Sequence, residues 1–280
     1  MAIETFAPAK VNLTLHVTGQ RADGYHLLDS LVVFADFGDR VTARPADELS
    51  LTVAGPRAGG VPVDERNLMM KAARFFGAHA ALSLDKRLPH AAGIGGGSSD
   101  AAATLRALAR LTGAAVPPGV VTLGADVPVC VLATAARMRG IGEDVSLVTG
   151  VPALPVVLVN PGVEVPTPAI FAGLARKDNA AMPEVMPRFD SPANCAAWLA
   201  GQRNDLEPPA LILAPVIGEV LRALRSGPAR LARMSGSGAT CFAIYDTVAQ
   251  AQQAAALLSQ RQPGWWVQVC ILNGAAAGIS

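Results

Sequence analysis

The sequence predicts a two-domain α+β protein that combines strands with helices. Three observations predict this class: alternating apolar and polar residues crowd the first ninety positions, alanine-rich segments with helical spacing occur in both halves, and a stretch rich in proline and valine interrupts the chain at 148–162. The 280 residues suffice for one large domain or two modest ones. We place the boundary near residue 150, which gives predicted domains of 1–150 and 151–280.

The predicted elements follow from local patterns. In residues 10–17 every second side chain is apolar, which is typical of a half-buried strand, and the turn residues at 21–24 end it. Apolar residues with helical spacing mark 67–80 and the alanine-rich segment that ends at Leu111. The other predicted strands are 28–34, 39–43, 49–53, 156–159, 240–245 and 266–272, and the other predicted helices are 192–202, 215–225 and 249–260.

The composition excludes several classes of function. Apolar residues make up 51% and charged residues 16%, which is typical of a folded chain. With a formal net charge of +1, the protein lacks the excess of positive charge that would indicate binding to nucleic acid or an anionic membrane. The first residues lack a signal-peptide pattern, and prolines together with Asp126 interrupt the longest charge-poor segment, 111–136. We therefore expect a cytoplasmic protein. The four cysteines form no CxxC pair, so neither a zinc site nor a redox motif is visible.

The strongest chemical signal is the segment from Pro89 to Asp100, PHAAGIGGGSSD. Four glycines within 93–97 remove side chains, so backbone N–H groups can converge on an anion, and the following helix adds its unpaired N–H groups and positive dipole end. Ser98 and Ser99 add hydroxyl donors. A capped helix after a flexible loop also explains the serines, but it does not require so many glycines. The segment therefore predicts a phosphate cradle.

Two common phosphate motifs do not fit this segment. The P-loop requires a lysine directly after a glycine, and none of the four lysines has one before it. A dinucleotide fingerprint requires a third glycine where Ser98 stands, and no strand is evident before the loop. An NAD-dependent oxidoreductase is therefore disfavoured.

Two charged residues stand out in apolar surroundings. Lysine is scarce, four against nineteen arginines, yet Lys10 begins an alternating strand, and Asp126 is the only charge between Arg110 and Arg137. A carboxylate in such a stretch needs a partner or a function. A turn aspartate and a strand-edge lysine explain the same residues, so the residues alone do not decide between structure and catalysis.

Three blocks in order resemble the GHMP kinase superfamily, which includes galactokinase and the homoserine and mevalonate kinases. They are PAKVNL at 8–13, GIGGGSSDAAA at 93–103 and MSGSGATCF at 234–242. The resemblance covers nearly the whole chain. It implies an ATP-dependent kinase for a small molecule, with an N-terminal domain like domain 2 of ribosomal protein S5, a ferredoxin-like C-terminal domain, and the active site in the cleft between them.

Further matches resemble the branch of this superfamily that phosphorylates the 2-hydroxyl of a cytidine-diphosphate methylerythritol in the non-mevalonate isoprenoid pathway. These matches are Gly24–His26, 124–128 (GADVP), Pro161–Gly162, Pro166–Pro168, Phe171 and Asn204–Glu207. Two departures are visible: Ile94 replaces a more common leucine, and the connection 112–123 is proline-rich and short, which could alter the approach to Asp126.

The resemblance implies roles for individual residues. Asp126 would accept or orient the proton of the attacking hydroxyl, and Lys10 would stabilise the developing negative charge, with Mg²⁺ as a cofactor whose ligands the sequence does not identify. His90 lies in the glycine-rich loop, but we expect no specific role for its imidazole side chain. The residues expected at ATP are Pro89, His90, Ala91, Ala92, Gly93, Ile94, Gly95, Gly96, Gly97, Ser98 and Ser99, together with Asn67 and Leu68.

The resemblance also implies an acceptor site. Tyr25 and His26 would bind the cytosine ring by stacking and hydrogen bonding, Phe171 would cover its other face, and Asn12 would contact the methylerythritol end. A second glycine loop, 235–238, would close over phosphates or substrate, although by itself a tight turn explains it better. The residues expected at the substrate are Asn12, Tyr25, His26, Thr167, Phe171, Gly236 and Ser237.

Other functions within the same fold stay open. Homoserine and mevalonate carry no base that could stack on aromatic residues. The set Tyr25, His26 and Phe171 therefore argues against a kinase for either of these substrates. A non-catalytic nucleotide-binding regulator could lose Lys10 or Asp126, and both are present. The sequence leaves open whether the protein is a monomer or a homodimer.

Overall fold

The computed structural model describes residues 1–274, which form eleven strands and eight α-helices. The strands are β1 (Ile3–Asn12), β2 (His16–Gln20), β3 (His26–Pro45), β4 (Ser50–Ala54), β5 (Ala80–Asp85), β6 (Ala136–Gly140), β7 (Asp144–Leu147), β8 (Leu154–Asn160), β9 (Leu231–Met234), β10 (Cys241–Ile244) and β11 (Trp266–Leu272). The helices are α1 (Leu68–Phe76), α2 (Gly96–Thr112), α3 (Val127–Leu132), α4 (Thr167–Ala172), α5 (Pro192–Ala200), α6 (Glu207–Leu213), α7 (Val216–Arg225) and α8 (Val248–Arg261).

The first half of the chain is organised around the long strand β3. Strands β1, β2, β5 and β6 pair with it in antiparallel fashion, β4 pairs with β5 in parallel, and β7 extends the sheet beyond β6. Helix α2 packs on this sheet with a buried face rich in alanine, including Ala101, Ala102 and Ala103. These small side chains let the helix approach the sheet closely, and this fixes the glycine-rich segment that precedes it.

The second half is a smaller antiparallel sheet with the order β11-β8-β10-β9. All seven residues of β8 are buried, which agrees with its continuous apolar run. Helices α7 and α8 pack against these strands through a core that includes Ile217, Val220, Leu224 and Leu258. One pairing, Leu272 with Ala35, links β11 to β3 and so connects the two sheets.

The break between β7 and β8 lies close to the predicted boundary near residue 150. The division into 1–150 and 151–280 stays a prediction, and its last six residues lie outside the described part of the chain. Within residues 1–274, no helix has both the length and the apolar character that crossing a bilayer requires. The four cysteines are free and buried.

Several predicted elements were wrong in extent. The predicted strand 10–17 is divided into β1 and β2, and it is not half-buried, because the polar side chains between its buried apolar ones are buried as well. The chain bends at Leu13, and the Leu15 N–H then donates to the Arg203 carbonyl, 2.8 Å away, instead of continuing the ladder with β3. The predicted helix 67–80 ends at Phe76, since Gly77 adopts a left-handed conformation with φ 77° and caps it.

Other elements carry no clear sequence pattern. Predicted strands 28–34 and 39–43 are one strand, β3, while strands β5, β6, β7 and β9 and helices α3, α4 and α6 were not predicted. These missed elements are short, four to seven residues each, so they contain too few residues for a periodic pattern to be recognised. The connection 112–123 ends in a 3₁₀ turn, Val120–Leu123, which leads directly to Asp126.

Candidate active site

A cavity of about 730 Å³ lies between the two halves of the molecule and contains most of the predicted site residues. Its walls come from β1, the segment before α2, the two residues before α3, the start of α4 and the second glycine loop. Nine of the eleven residues predicted from Pro89 to Ser99 line it, as do Asn67, Leu68, Asn12, Thr167, Phe171, Gly236 and Ser237.

The glycine-rich segment forms one wall through its backbone. Gly93 and Gly95 have left-handed φ angles of 71° and 63°, and α2 begins at Gly96. The first N–H groups of a helix have no partner within it, so those of Gly96, Gly97 and Ser98 are available to an anion at the cavity wall. Lys10 lies directly beneath this turn, because its N–H donates to the Ile94 carbonyl at 2.9 Å.

The structure changes the expectation for Ser99 and Ile94. The Ser99 hydroxyl is buried and donates to the Pro8 carbonyl at 2.7 Å, and the Ser99 N–H donates to the Gly95 carbonyl. Both donors of Ser99 are therefore used within the protein: the hydroxyl anchors α2 to β1, and the N–H closes the first turn of α2. The Ile94 side chain is fully buried in the core. Neither residue lines the cavity, and the prediction of a Ser99 hydroxyl donor was wrong.

The two glycine loops, from opposite halves of the chain, are in direct contact. The Ser235 hydroxyl donates to the Gly93 carbonyl at 3.0 Å, and the Thr240 N–H donates to the Ala92 carbonyl at 3.1 Å. A Cβ atom on Gly93 would lie 2.5 Å from the Ser235 carbonyl oxygen. Only glycine fits this approach, so the residue type at position 93 determines how the loops meet.

Lys10 and Asp126 form an ion pair at the base of the cavity. Lys10 Nζ lies 2.7 Å from Asp126 Oδ2, and the lysine side chain is 5% exposed against 32% for the aspartate. A register shift in β1 between Pro8 and Lys10 interrupts the ladder with β3, the kind of irregularity that redirects a side chain. Asp126 precedes α3 without capping it, so its carboxylate is free to pair with the ammonium.

Asn12 presents an unsatisfied acceptor to the same cavity. Ser30 uses its hydroxyl proton on the Thr14 carbonyl at 2.5 Å, so its oxygen accepts from Asn12 Nδ2 at 2.8 Å. This orients the Asn12 amide and turns its Oδ1 away from Ser30. That oxygen is buried and has no hydrogen-bond partner within residues 1–274. Its position next to Lys10 on β1 suits an acceptor for a ligand hydroxyl.

The predicted base-binding set is only partly assembled. The His26 and Phe171 rings stack with centroids 4.7 Å apart and an interplanar angle of 23°. Burial, followed by the Lys177 charge, lowers the pKa of His26 below its ordinary value, and its Nε2 is buried without a partner in the described chain. Tyr25 is 61% exposed, and among the described residues that line the cavity neither Tyr25 nor His26 occurs. Phe171 thus contacts His26 where a base was expected.

The opposite end of the cavity contains Asn67 and Leu68. Asn67 caps α1, since its Oδ1 accepts from the Met69 N–H at 2.9 Å and its Nδ2 donates to the Pro62 carbonyl at 2.7 Å. Its side chain therefore shapes this wall. His90 is exposed, and its Nε2 lies 3.2 Å from the Arg57 carbonyl.

Three supporting residues were missed by sequence reasoning. Lys86 lines the cavity below Gly96, Ser30 orients Asn12, and Asn204 donates to the Met234 and Gly236 carbonyls at 2.8 and 2.9 Å, which holds the second glycine loop. The scarcity of lysine that singled out Lys10 applies equally to Lys86. Asn204 belongs to a motif seen in the sequence, but nothing there indicates which carbonyls it reaches. The Thr167 and Ser237 hydroxyls, 2.8 Å apart, also join α4 to this loop.

The fold and the cavity define a GHMP kinase, and the comparisons with known proteins agree. The model of the GHMP kinases N terminal domain matches residues 67–135, and that of the GHMP kinases C terminal region matches 180–262. A homoserine kinase from Cytophaga hutchinsonii, 19% identical, shares the fold with a TM-score of 0.64 over 96% of this chain and 94% of that one.

Closer relatives narrow the family. The 4-diphosphocytidyl-2-C-methyl-D-erythritol kinase of Dinoroseobacter shibae is 61% identical over 97% of this chain and 95% of its own, and that of Ruegeria pomeroyi is 54% identical over 95% and 98%. A crystal structure of 4-(cytidine 5'-diphospho)-2C-methyl-D-erythritol kinase, 35% identical, matches with a TM-score of 0.76 over 97% of this chain and all of that one. The chain belongs to the 4-diphosphocytidyl-2-C-methyl-D-erythritol kinase family of GHMP kinases. The predicted superfamily and its two-domain fold are confirmed.

Proposed function

We propose that this chain transfers the terminal phosphoryl group of ATP to the 2-hydroxyl of 4-diphosphocytidyl-2-C-methyl-D-erythritol in the non-mevalonate isoprenoid pathway. The observation that carries the proposal is the Lys10–Asp126 pair, 2.7 Å apart, in the same cavity as the N-terminus of α2. The names of the close relatives support this acceptor.

The chemistry requires alignment and charge neutralisation more than covalent participation by the protein. In the proposed mechanism, the Asp126 carboxylate accepts or orients the proton of the attacking hydroxyl, and the Lys10 ammonium stabilises the negative charge that develops on that oxygen. The low exposure of Lys10 strengthens this effect, because little water is present to screen the ammonium.

The nucleotide lies along the wall from Asn67 to Ser98 in this proposal. The phosphates accept hydrogen bonds from the N–H groups of Gly96, Gly97 and Ser98, and the base extends toward Asn67 and Leu68. All five residues line the cavity. Ser98, unlike Ser99, also offers its hydroxyl.

Magnesium fits this site as an ion that arrives with ATP. Within residues 1–274, no group of three His, Cys, Asp or Glu side chains could hold a metal ion. Mg²⁺ commonly takes one or two carboxylates together with substrate phosphates and waters, and the cavity offers the Asp126 carboxylate. When bound, the ion would neutralise phosphate charge.

The acceptor occupies the remaining part of the cavity. Asn12 Oδ1 accepts a hydrogen bond from a hydroxyl of the methylerythritol portion, which satisfies its buried oxygen. Phe171 stacks on the cytosine ring, and His26 Nε2 bonds the base edge. Because Phe171 stacks on His26 in the structure, Phe171 has to part from His26 to stack on the base, so acceptor binding includes a local rearrangement of this stack.

The remaining parts of the proposal concern the protein as a whole. Residues 1–150 supply ATP binding and catalysis, and residues 151–280 contribute to substrate binding. We propose a cytoplasmic protein, monomeric or homodimeric, that acts on small molecules and binds neither nucleic acid nor membranes. Four buried free cysteines support a reducing compartment.

A coupled assay of ADP release tests the proposal. The cytidine-diphosphate substrate, homoserine and mevalonate are offered separately with ATP and magnesium, and only the first is expected to support rapid turnover. Preferred turnover of homoserine or mevalonate would assign a different GHMP kinase activity. ATP binding without turnover of any acceptor would favour a non-catalytic regulator.

A further inference from the structure

Three buried charges lie beneath the N-terminus of α2 and take no part in the mechanism proposed above. Lys86 Nζ lies 2.6 Å from Asp39 Oδ2 and 2.6 Å from Asp100 Oδ2. The three side chains are at most 5% exposed. We refer to Asp39, Lys86 and Asp100 as the charge triad. Burial of three charges is costly unless they are paired, so their position calls for an explanation.

The charge triad joins the two ends of the glycine-rich segment. Lys86 directly follows β5 and precedes the segment, whereas Asp100, the fifth residue of α2, is the last residue of the segment. Asp39, on β3, also accepts the N–H groups of Arg87 and Leu88 through Oδ1, at 2.5 and 2.8 Å. One ammonium therefore connects the entry of the segment, its exit and the sheet below.

The triad also borders the cavity. Lys86 and Asp100 are among the lining residues, and a Cβ atom on Gly96 would lie 3.3 Å from Lys86 Nζ. The ammonium is thus close to the residue whose N–H group faces the expected phosphates. A shift of Lys86 would move the first turn of α2, and with it the donors at 96–98.

The charge balance of the triad is compatible with an anion nearby. Burial raises the pKa of Asp100 to about 8, with the Lys86 charge opposing this rise and the Asp39 charge adding to it. A proton on Asp100 leaves one positive and one negative charge in the triad, so it does not repel a polyphosphate. The second Asp100 oxygen is buried without a partner in the described chain, which suits a protonated carboxyl better than an ionised one.

We propose that Lys86 is a positioning residue for the ATP phosphates, acting through Asp39 and Asp100. By tying both ends of segment 86–100 together, it holds the N–H groups of Gly96, Gly97 and Ser98 in place before the nucleotide binds. The entropic cost of ordering the segment is then part of the free energy of folding, so it does not weaken ATP affinity. The inference rests on the ATP site proposed above.

The test measures binding of ATP itself to the full chain by calorimetry, without an acceptor. The decisive variant combines Lys86→Met with Asp100→Asn, which removes the bridge but leaves Asp39 its two N–H donors. Asp100→Asn alone is the conservative variant, because an amide oxygen can still accept from Lys86. Asp29→Asn is the matched control: it weakens a buried bidentate pair with Arg137, at 2.7 Å, away from the segment.

We expect the double variant to raise the Kd for ATP about tenfold or more while kcat at saturating ATP falls by less than about threefold. The Kd of the Asp100→Asn variant for ATP should stay within about threefold of the wild-type value. Asp29→Asn should lower the melting temperature and leave the Kd for ATP unchanged. Wild-type ATP affinity in the double variant would overturn the proposal, and so would an equal loss of affinity in Asp29→Asn.

If the double variant does not fold, Lys86→Arg provides the test, since it keeps the charge but cannot keep the ammonium position below Gly96. We expect weaker ATP binding with a melting temperature near that of the wild type, and unchanged binding would overturn the proposal.

A failure of this proposal can be distinguished from a failure of the proposed function. A wild type that binds ATP but does not phosphorylate the cytidine substrate would refute the acceptor assignment and leave the role of Lys86 to be decided by the Kd values.

Discussion

The proposed nucleotide side and the proposed acceptor side of the cavity are built differently. On the nucleotide side, segment 86–100 is fixed from both ends by the charge triad and by the Ser99 contact with β1. On the acceptor side, Asn12 Oδ1 and His26 Nε2 are buried without partners in the described chain, and Tyr25 is largely exposed. The nucleotide side is assembled in advance, while the acceptor side depends on its ligand to complete its hydrogen bonds and separate a stacked pair.

This difference has a physical reason. A polyphosphate is recognised by backbone N–H groups, whose positions the fold can fix through loops and helix ends. A base and a sugar alcohol are recognised by side chains that must admit the ligand first, so some polar atoms stay unsatisfied until it arrives. Substitutions on the two sides should therefore separate ATP affinity from acceptor affinity.

The largest effect is expected where the two sides meet. Asp126→Asn keeps the shape of the side chain but removes the proton acceptor, so turnover should fall by about three orders of magnitude while the KM values for ATP and acceptor change little. Steady-state ADP release measures all three parameters. Asp246→Asn, in the exposed pair with Arg230, is the control and should behave as the wild type. Turnover within tenfold of the wild type would refute the role of Asp126.

A second substitution tests the preassembled side. Gly93→Ala places a Cβ atom against the Ser235 and Gly238 carbonyls, at 2.5 and 2.6 Å, so the two glycine loops must separate. We expect the free energy of unfolding to drop by about 3 kcal/mol and the KM for ATP to rise about a hundredfold. Chemical denaturation and steady-state kinetics give the two values.

The control for Gly93→Ala is Gly113→Ala. Gly113 has a similar left-handed φ of 75°, but a Cβ atom there meets nothing within 4 Å. This variant should cost only about 1 kcal/mol of backbone strain and leave ATP kinetics intact. If the two variants are equally stable and equally active, contact between the glycine loops does not fix the nucleotide side.

A third pair of substitutions tests the acceptor side. Phe171→Ala removes the stacking surface and His26→Ala removes the edge contact, so each should raise the KM for the cytidine substrate about tenfold and leave that for ATP unchanged. Steady-state kinetics with each substrate varied in turn makes the measurement. Losses that are equal for ATP and the cytidine substrate would mean that these residues support the cavity as a whole and do not bind a base.

The smallest effect is expected for His16, on β2, which is not among the residues that line the cavity. His16 is buried, its Nε2 accepts the Arg203 N–H at 3.1 Å, and burial, followed by the Arg203 charge, lowers its pKa. An unfolded chain takes up the proton near pH 6.5, but the folded chain does so only at lower pH. Stability should therefore fall as pH drops below about 6.5, by at most about 1.4 kcal/mol per pH unit from this group.

Melting temperatures between pH 7.5 and 5.5 test the His16 prediction. His16→Gln does not titrate, so its melting temperature should fall less steeply than that of the wild type as the solution is acidified. Identical slopes for the two proteins would show that His16 does not contribute to the pH dependence.

Sequence reasoning was most successful where the backbone itself is the functional group. Glycine spacing at 93–97 predicted a loop with exposed backbone N–H groups followed by a helix, and the structure has a turn with left-handed glycines at 93 and 95 that leads into α2. It was less successful with side chains. Ser98 and Ser99 are adjacent and chemically identical, yet one lines the cavity and the other bonds β1, because successive helix residues point in different directions and the position of β1 decides which side is buried.

The sequence by itself determined the family, the two-domain α+β class and most of the segments that surround the cavity, because these follow from local composition and short motifs. Only the tertiary structure decided which charges meet. Lys10 reaches Asp126 across 116 positions, and Lys86 reaches Asp39 across 47. Such pairs depend on strand register, which is fixed by packing between distant segments and which no local pattern encodes.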